Sequence, residues 1–185
     1  LPWNFEGRMV HSGMVIWIQG LSVPKRYKDQ TVFDGILLNI SERKQAEAKS
    51  RQSEEKFHKI FMTTPNCIAI TRMKDGSIID VNKGFEDIVG WKRGEVIGTK
   101  SAEPPLNFWT DVSEREFMVA ELRAGRDILH RQFEFRRSDD SVRTGIYSDR
   151  TIHIEGEESL IFILQDITEQ KRMELELAES HKMRL

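Results

Sequence analysis

The sequence predicts an α+β protein, and three observations carry that prediction. Two short stretches, NISERKQAE at 39–47 and DITEQKRME at 166–174, are near copies. Each follows an apolar, strand-like run and opens a charged, helix-prone segment, so the motif stands where a sheet ends and a connecting helix begins. Between the copies the order is two strands, helices, three strands. The spacing of the copies is one small domain, which makes the chain a set of modules joined by helices.

Residues 1–40 match the strands that precede the second copy. Phe5-Glu6 and Arg8 correspond to Phe133-Glu134 and Arg136, with the first copy one residue longer between there and the motif. Strands are expected at Met14 to Ile18 and Val32 to Leu38. The helices and first two strands that would cover such a sheet are missing, so it exposes apolar surface; these residues are expected to pair with another chain or to be partly unfolded.

Residues 41–62 contain no Gly or Pro and are rich in Glu, Lys, Arg, Gln and Ala, which favours one long helix. Phe57, Ile60 and Phe61 form an i, i+3, i+4 stripe near its end, and Pro65 stops it. A strand follows at Ile68 to Arg72, a turn at Lys74-Asp75-Gly76 and a strand at Ser77 to Val81. Short helices are expected at Lys83 to Val89, capped by Asn82, and around Glu95 to Ile97; Gly90 and Gly98 suit helix-ending positions with φ > 0. Pro104-Pro105 breaks the chain before a longer helix, Val112 to Ala124, closed by Gly125.

Three strands complete the domain: Ile128 to Arg136, Val142 to Ile154 and Leu160 to Ile167, with polar turns at Ser138-Asp139-Asp140 and Glu155-Gly156-Glu157. By period 2, Leu129, Phe133 and Phe135 share one face of the first of these, and Arg131 interrupts that face. In the next, Val142, Ile146 and Ile152 share one parity and Tyr147 the other; sequence leaves open which parity meets the helices. The terminal helix, Thr168 to Leu185, places Leu175, Ala178, Lys182 and Leu185 at a/d-like spacing, a weak coiled-coil signal spoiled by Lys182.

This order, together with VNKGFEDIVGWKRGEVIG at 81–98 and DITEQK at 166–171, resembles a PAS domain with its C-terminal PAC segment across 53–170. The resemblance rests on Val81-Asn82, Phe85, Gly90-Trp91, Glu95, Gly98 and Asp166-Ile167-Thr168. Gly84 departs from the alanine more usual there, which puts little in doubt. Residues 1–40 similarly resemble the last three strands of an upstream PAS domain, ending at Asn39-Ile40-Ser41.

The resemblance implies a five-stranded antiparallel sheet with short helices on one face, flanked by N- and C-terminal signalling helices. It divides the chain into C-terminal strands of an upstream PAS/PAC domain (1–40), a helical linker (41–56), a PAS/PAC domain (53–168) and the start of a signalling helix (169–185). It further implies a homodimer paired through the flanking helices and an effector in the same chain, most often a histidine kinase, otherwise a diguanylate cyclase. Asp166, Ile167 and Thr168 are the implied signal-transmission residues. On physical grounds Asp166 and Thr168 are either a plain helix cap or a fastening between strand end and helix start.

Catalytic chemistry is not supported. No glycine-rich phosphate loop, HExxH, serine elbow or kinase or cyclase signature appears, and the five histidines are scattered without metal-ligand spacing. The fragment is therefore expected not to be an enzyme. The longer helix lacks the histidine that holds haem in some PAS relatives; His130, just beyond it, is a weaker candidate than an ordinary strand-end histidine. Cys67 opens a strand, away from the short helix where light-sensing relatives carry their reactive cysteine, so covalent flavin is disfavoured and a buried apolar role favoured.

A small molecule held without a covalent bond stays open, because Phe108, Trp109 and Phe117 cluster around the longer helix. Trp109, Phe117, Phe133 and Arg131 are the candidate pocket. Arg131 either snorkels out at the sheet edge or pairs with something anionic inside, such as a ligand carboxylate.

Charged residues make up 31% of the chain, hydrophobic residues 38%, and the net charge is −2, which argues against nucleic acid and anionic membrane as partners. No apolar run approaches the roughly 20 residues needed to span a bilayer. One cysteine forbids an internal disulfide and suits a reducing compartment. The expected location is cytoplasmic, without direct membrane contact.

Overall fold

A computed structural model describes residues 3–182, and the chain divides between His58 and Lys59 into two units. The first unit holds three antiparallel strands in the order β1-β2-β3: β1 (Trp3–His11), β2 (Met14–Tyr27) and β3 (Gln30–Asn39). The β2–β3 hairpin runs well past the apolar positions that signal strands. Pro24 is tolerated in β2 because β1 begins at Trp3, opposite Ser22, so that among the described residues the stretch beyond Ser22 pairs with β3 alone. Helix α1 (Ser41–Thr63) follows at once.

All three strands are formed, and little of their apolar surface is covered. Ile18 and Ile40 are buried, whereas Trp3, Val15, Phe33 and Leu37 each expose more than half of their surface.

The second unit is an α+β domain. Its five strands are β4 (Cys67–Arg72), β5 (Ile78–Val81), β6 (Ile128–Arg136), β7 (Val142–Ile154) and β8 (Glu157–Asp166), antiparallel in the order β5-β4-β8-β7-β6. The last strand thus lies at the centre, paired on one side with the first strand of the unit. Helices α2 (Lys83–Val89), α3 (Arg93–Val96) and α4 (Val112–Arg123) lie in sequence between β5 and β6. Phe85 and Val89 of α2, Val96 of α3, and Met118 and Leu122 of α4 join Tyr147, Phe162 and Leu164 of the sheet in the main core. The opposite face carries a smaller cluster of Phe61, Ile68 and Ile70. Helix α5 (Thr168–Lys182) leaves the central strand.

Asn82 fixes the crossing from sheet to helices. It is fully buried; its Oδ1 accepts the backbone N–H of Phe85 at 2.8 Å, which caps α2, and that of Ile68 at 2.9 Å. Its Nδ2 donates to the carbonyls of Asn66 at 2.9 Å, and of Phe61 and Thr64 at 3.1 Å. One side chain therefore joins the end of α1, the start of β4 and the start of α2. Beside it, a Cβ on Gly84 would stand 2.2 Å from the Asn66 carbonyl oxygen. The glycine at this position is a requirement of that close approach and not an incidental departure.

Strand β6 corrects the period-2 expectation. Ile128 is buried and Leu129 is exposed, the reverse of the predicted face. The cause is a bulge: Ile128 pairs with Asp149 and Arg131 with Tyr147, so Leu129 and His130 oppose Ser148 alone. His130 takes φ 54, and its N–H donates to Ser148 Oγ at 3.1 Å. Beyond the bulge the alternation holds, with Phe133 and Phe135 inward. Strand β8 begins at Glu157, earlier than its apolar run, because Glu155 and Gly156 take φ 51 and 83 and close a tight hairpin in which Ile154 pairs with Glu157. The coiled-coil positions Leu185 and the Lys182 side chain lie outside the described residues.

Candidate functional site

Two places in the second unit bring polar groups to the core: an interior cavity and the joint where β8 becomes α5. The cavity, of about 50 Å³, is lined by Cys67 of β4, Phe85 of α2, Phe108 and Trp109 of the loop before α4, Met118 of α4, and Phe162 of β8. Phe108 and Trp109 meet edge to face with ring centroids 5.5 Å apart, and Trp109 donates through Nε1 to Ser101 Oγ at 3.1 Å. The indole is thereby held in one orientation.

Asp149 of β7 is the acidic residue of this lining. It is 1% exposed, and its Oδ1 has no hydrogen-bond partner among the described residues. Burial pushes its carboxyl up to about 8, the Arg150 backbone N–H opposing this in part and the neighbouring Asp127 charge adding to it. Sequence reasoning missed Asp149. It shares the parity of Tyr147, and that parity faces the core from Gly145 to Asp149; knowing the inward face of β7 would have found it.

The four residues expected to form a pocket separate. Trp109 lines the cavity. Phe133 is buried behind it, with its ring centroid 5.2 Å from that of Trp109. Phe117 and Arg131 do not line it. Phe117 lies on α4, 38% exposed, with the Arg131 guanidinium 3.8 Å from its ring centre. Arg131 grips both oxygens of Glu114 in a forked ion pair. Glu114 also accepts the Tyr147 hydroxyl at 3.0 Å. The Arg131 hydrogen bonds and charge hold the Glu114 carboxyl below its usual range against the effect of burial. The anionic partner of Arg131 is thus a residue of the chain itself.

At the joint, Asp166 Oδ1 accepts the Thr168 N–H at 2.9 Å and the Thr168 hydroxyl at 2.6 Å, and Oδ2 accepts from Arg143 at 2.9 Å. The Thr144 N–H donates to Thr168 Oγ1 at 3.0 Å, and the Ile167 N–H to the Thr144 carbonyl at 2.9 Å. Ile167 is buried. Burial alone would raise the Asp166 carboxyl, but the Thr168 and Arg143 hydrogen bonds outweigh it and lower it. This exceeds a plain cap: the first turn of α5 is bonded to the neighbouring strand β7.

Three of these bonds recur at the first copy of the repeated motif. There the Ser41 N–H donates to Asn39 Oδ1 at 3.0 Å, the Trp17 N–H to Ser41 Oγ at 2.9 Å and the Ile40 N–H to the Trp17 carbonyl at 2.8 Å.

A family model described as the PAS domain matches residues 65–169, more than half of the chain. The chain belongs to the PAS domain family. Solved structures agree on the fold. The PAS domain of an HTR-like protein from Haloarcula marismortui is 23% identical, with a TM-score of 0.53 over 67% of this chain and 99% of that one. A PAS domain from a two-component sensor histidine kinase is 8% identical, with a TM-score of 0.54 over 63% and 98%. An RNA-binding light-oxygen-voltage receptor is 10% identical, with a TM-score of 0.55 over 99% of this chain and 82% of that one. No curated protein matches the chain.

The cavity is small, and the residues weighed for haem and for covalent flavin lie outside any ligand geometry. Its volume is far below the roughly 300–1,000 Å³ of pockets that enclose drug-sized ligands. Cys67 is fully buried with its thiol pushed up by burial, the opposite of an activated thiolate. His130 projects from the bulge as an exposed residue. Among the described residues no three His, Cys, Asp or Glu side chains gather as a metal site.

Proposed function

We propose that the PAS domain of this chain is a cytoplasmic sensory and relay module. A small molecule or partner acts on the core, and the change passes through helix α5 to an effector in the same chain, most often a histidine kinase. The observation that carries this reading is that one pair of strands serves both places. Asp149 at the cavity and Arg143-Thr144 at the joint lie on β7; Phe162 at the cavity and Asp166 at the joint lie on β8. Asp149 and Thr144 are separated by only about 17 Å of strand. Occupancy that shifts either strand therefore loads the bonds that start α5, and a bias between two arrangements of the joint is all that relay requires. The similarity to a PAS domain from a sensor histidine kinase supports the choice of effector.

In this reading residues 1–185 are not themselves an enzyme. It pairs as a homodimer through α1 and α5, and neither nucleic acid nor membrane is a partner. No helix of the described residues is long and apolar enough to cross a membrane.

A second reading is a dimerisation spacer that takes no ligand. It is favoured by the exposed Val15, Phe33 and Leu37 of the first unit, a surface suited to another chain. Native mass spectrometry of the purified chain separates the two: a retained small molecule supports sensing, and an empty dimer supports the spacer. Hydrogen exchange at Ile167 and Thr168 should then change when the retained molecule is removed. Exchange that does not respond overturns the relay.

A further inference from the structure

The cavity described above has a chemical bias that its size alone does not reveal. Eleven of the twelve residues lining it are neutral, and the twelfth is Asp149. A carboxylate that is 1% exposed, with an oxygen lacking any partner among the described residues, is costly to ionise unless something inside the cavity compensates. No lysine, arginine or histidine lines the cavity to do so. Across the same space stand the rings of Phe108, Trp109 and Phe162, packed edge to face around one another. Aromatic faces attract cations, most strongly where water is excluded.

We propose that this cavity takes a small organic cation of about the size of methylammonium, its N–H groups donated to Asp149 and its charge set against the aromatic rings. The inference rests on the reading of the cavity as a ligand site and goes further by naming the class of ligand. An anion would find no cationic partner in the lining. A neutral alcohol offers one hydrogen bond and nothing to balance an ionised Asp149. Water alone also fits about 50 Å³, and the test must separate it. Burial keeps Asp149 protonated at neutral pH in the empty cavity, and a bound cation would draw it into the ionised form with release of that proton.

The 185-residue chain should be titrated with methylammonium chloride at pH 8, with sodium chloride holding the ionic strength constant. Calorimetry and the Trp109 indole N–H signal report binding. Saturable binding is expected, weakened at least tenfold in Asp149→Asn, which keeps the shape and removes the charge. Equal affinity in wild type and Asp149→Asn overturns the proposal. The wild-type chain alone supplies a second measurement should the variant fail to fold, namely titration with ethanol. If ethanol binds as tightly as methylammonium, the cation assignment falls while the ligand site stands. If neither probe binds and native mass spectrometry finds no retained molecule, the ligand-site reading falls with it.

Discussion

The Arg143 guanidinium donates to Asp166 Oδ2 at 2.9 Å, and the residue in the place of Arg143 in the first copy of the joint is Ile16. Both copies bond the first turn of their helix to the neighbouring strand. Only the second adds an ion pair, since Asn39 stands where Asp166 does. Asp166→Ala removes the acceptor of three hydrogen bonds and should destabilise the domain by about 1–3 kcal/mol in urea unfolding. In a parent that carries an effector it should also uncouple input from output while the fold persists. Unchanged signalling would refute the role assigned to the joint.

The same carboxylate sets an acid limit. Asp166 is lowered in the folded chain, so its contribution is present at neutral pH and is lost as pH falls through its folded value. Acid unfolding followed by circular dichroism should show a shallower loss of stability below pH 4 in Asp166→Asn than in wild type.

Asp149 has the opposite sign. Its carboxyl rises from 3.8 to about 8 on folding, so between those values the folded chain holds a proton that the unfolded chain releases. Stability from this group is fully present below about pH 4 and declines as pH rises towards 8, by up to about 1.4 kcal/mol per pH unit. Asp149→Asn should flatten that decline, and urea midpoints measured from pH 5 to 8 report it.

Asn82→Ala leaves two backbone N–H groups and three carbonyls without the side chain they share, a loss of at least about 2 kcal/mol by urea unfolding. Asn82→Asp is nearly isosteric yet sets a carboxylate oxygen against those carbonyls. It should be no more stable than the alanine variant at pH 7.

Gly84→Ala installs the residue more usual in the family. Here it should destabilise by about 1–3 kcal/mol, because the new methyl group meets the Asn66 carbonyl oxygen at 2.2 Å and the Pro65 carbonyl oxygen at 2.8 Å, both backbone atoms. A Tm equal to that of wild type would show that α2 can move away freely.

Much of the domain was legible in its sequence because local chemistry agreed with the fold. Turn residues bracket β6 and β7, and those strands run from Ile128 to Arg136 and from Val142 to Ile154 as expected. The joint was legible as a repeat, and its residues as polar groups at a helix start. What escaped depends on neighbours distant in sequence. The partner of Arg131 lies on α4, the inward parity of β7 is set by what packs over it, and the need for Gly84 comes from the carbonyl of Asn66. The bulge escaped for another reason: periodicity counts residues, and it cannot register one that the ladder skips.

That skipped residue makes β6 one residue longer than its ladder needs. Ile128 already faces Asp149 and Arg131 already faces Tyr147, with Leu129 and His130 sharing the single place between them. A chain lacking His130 could zip β6 to β7 without changing any other pair, and it would shed a side chain held at φ 54. The strand can therefore tolerate the loss of a residue at this point, whereas the gain or loss of one between Gln132 and Arg136 would turn Phe133 or Phe135 out to solvent.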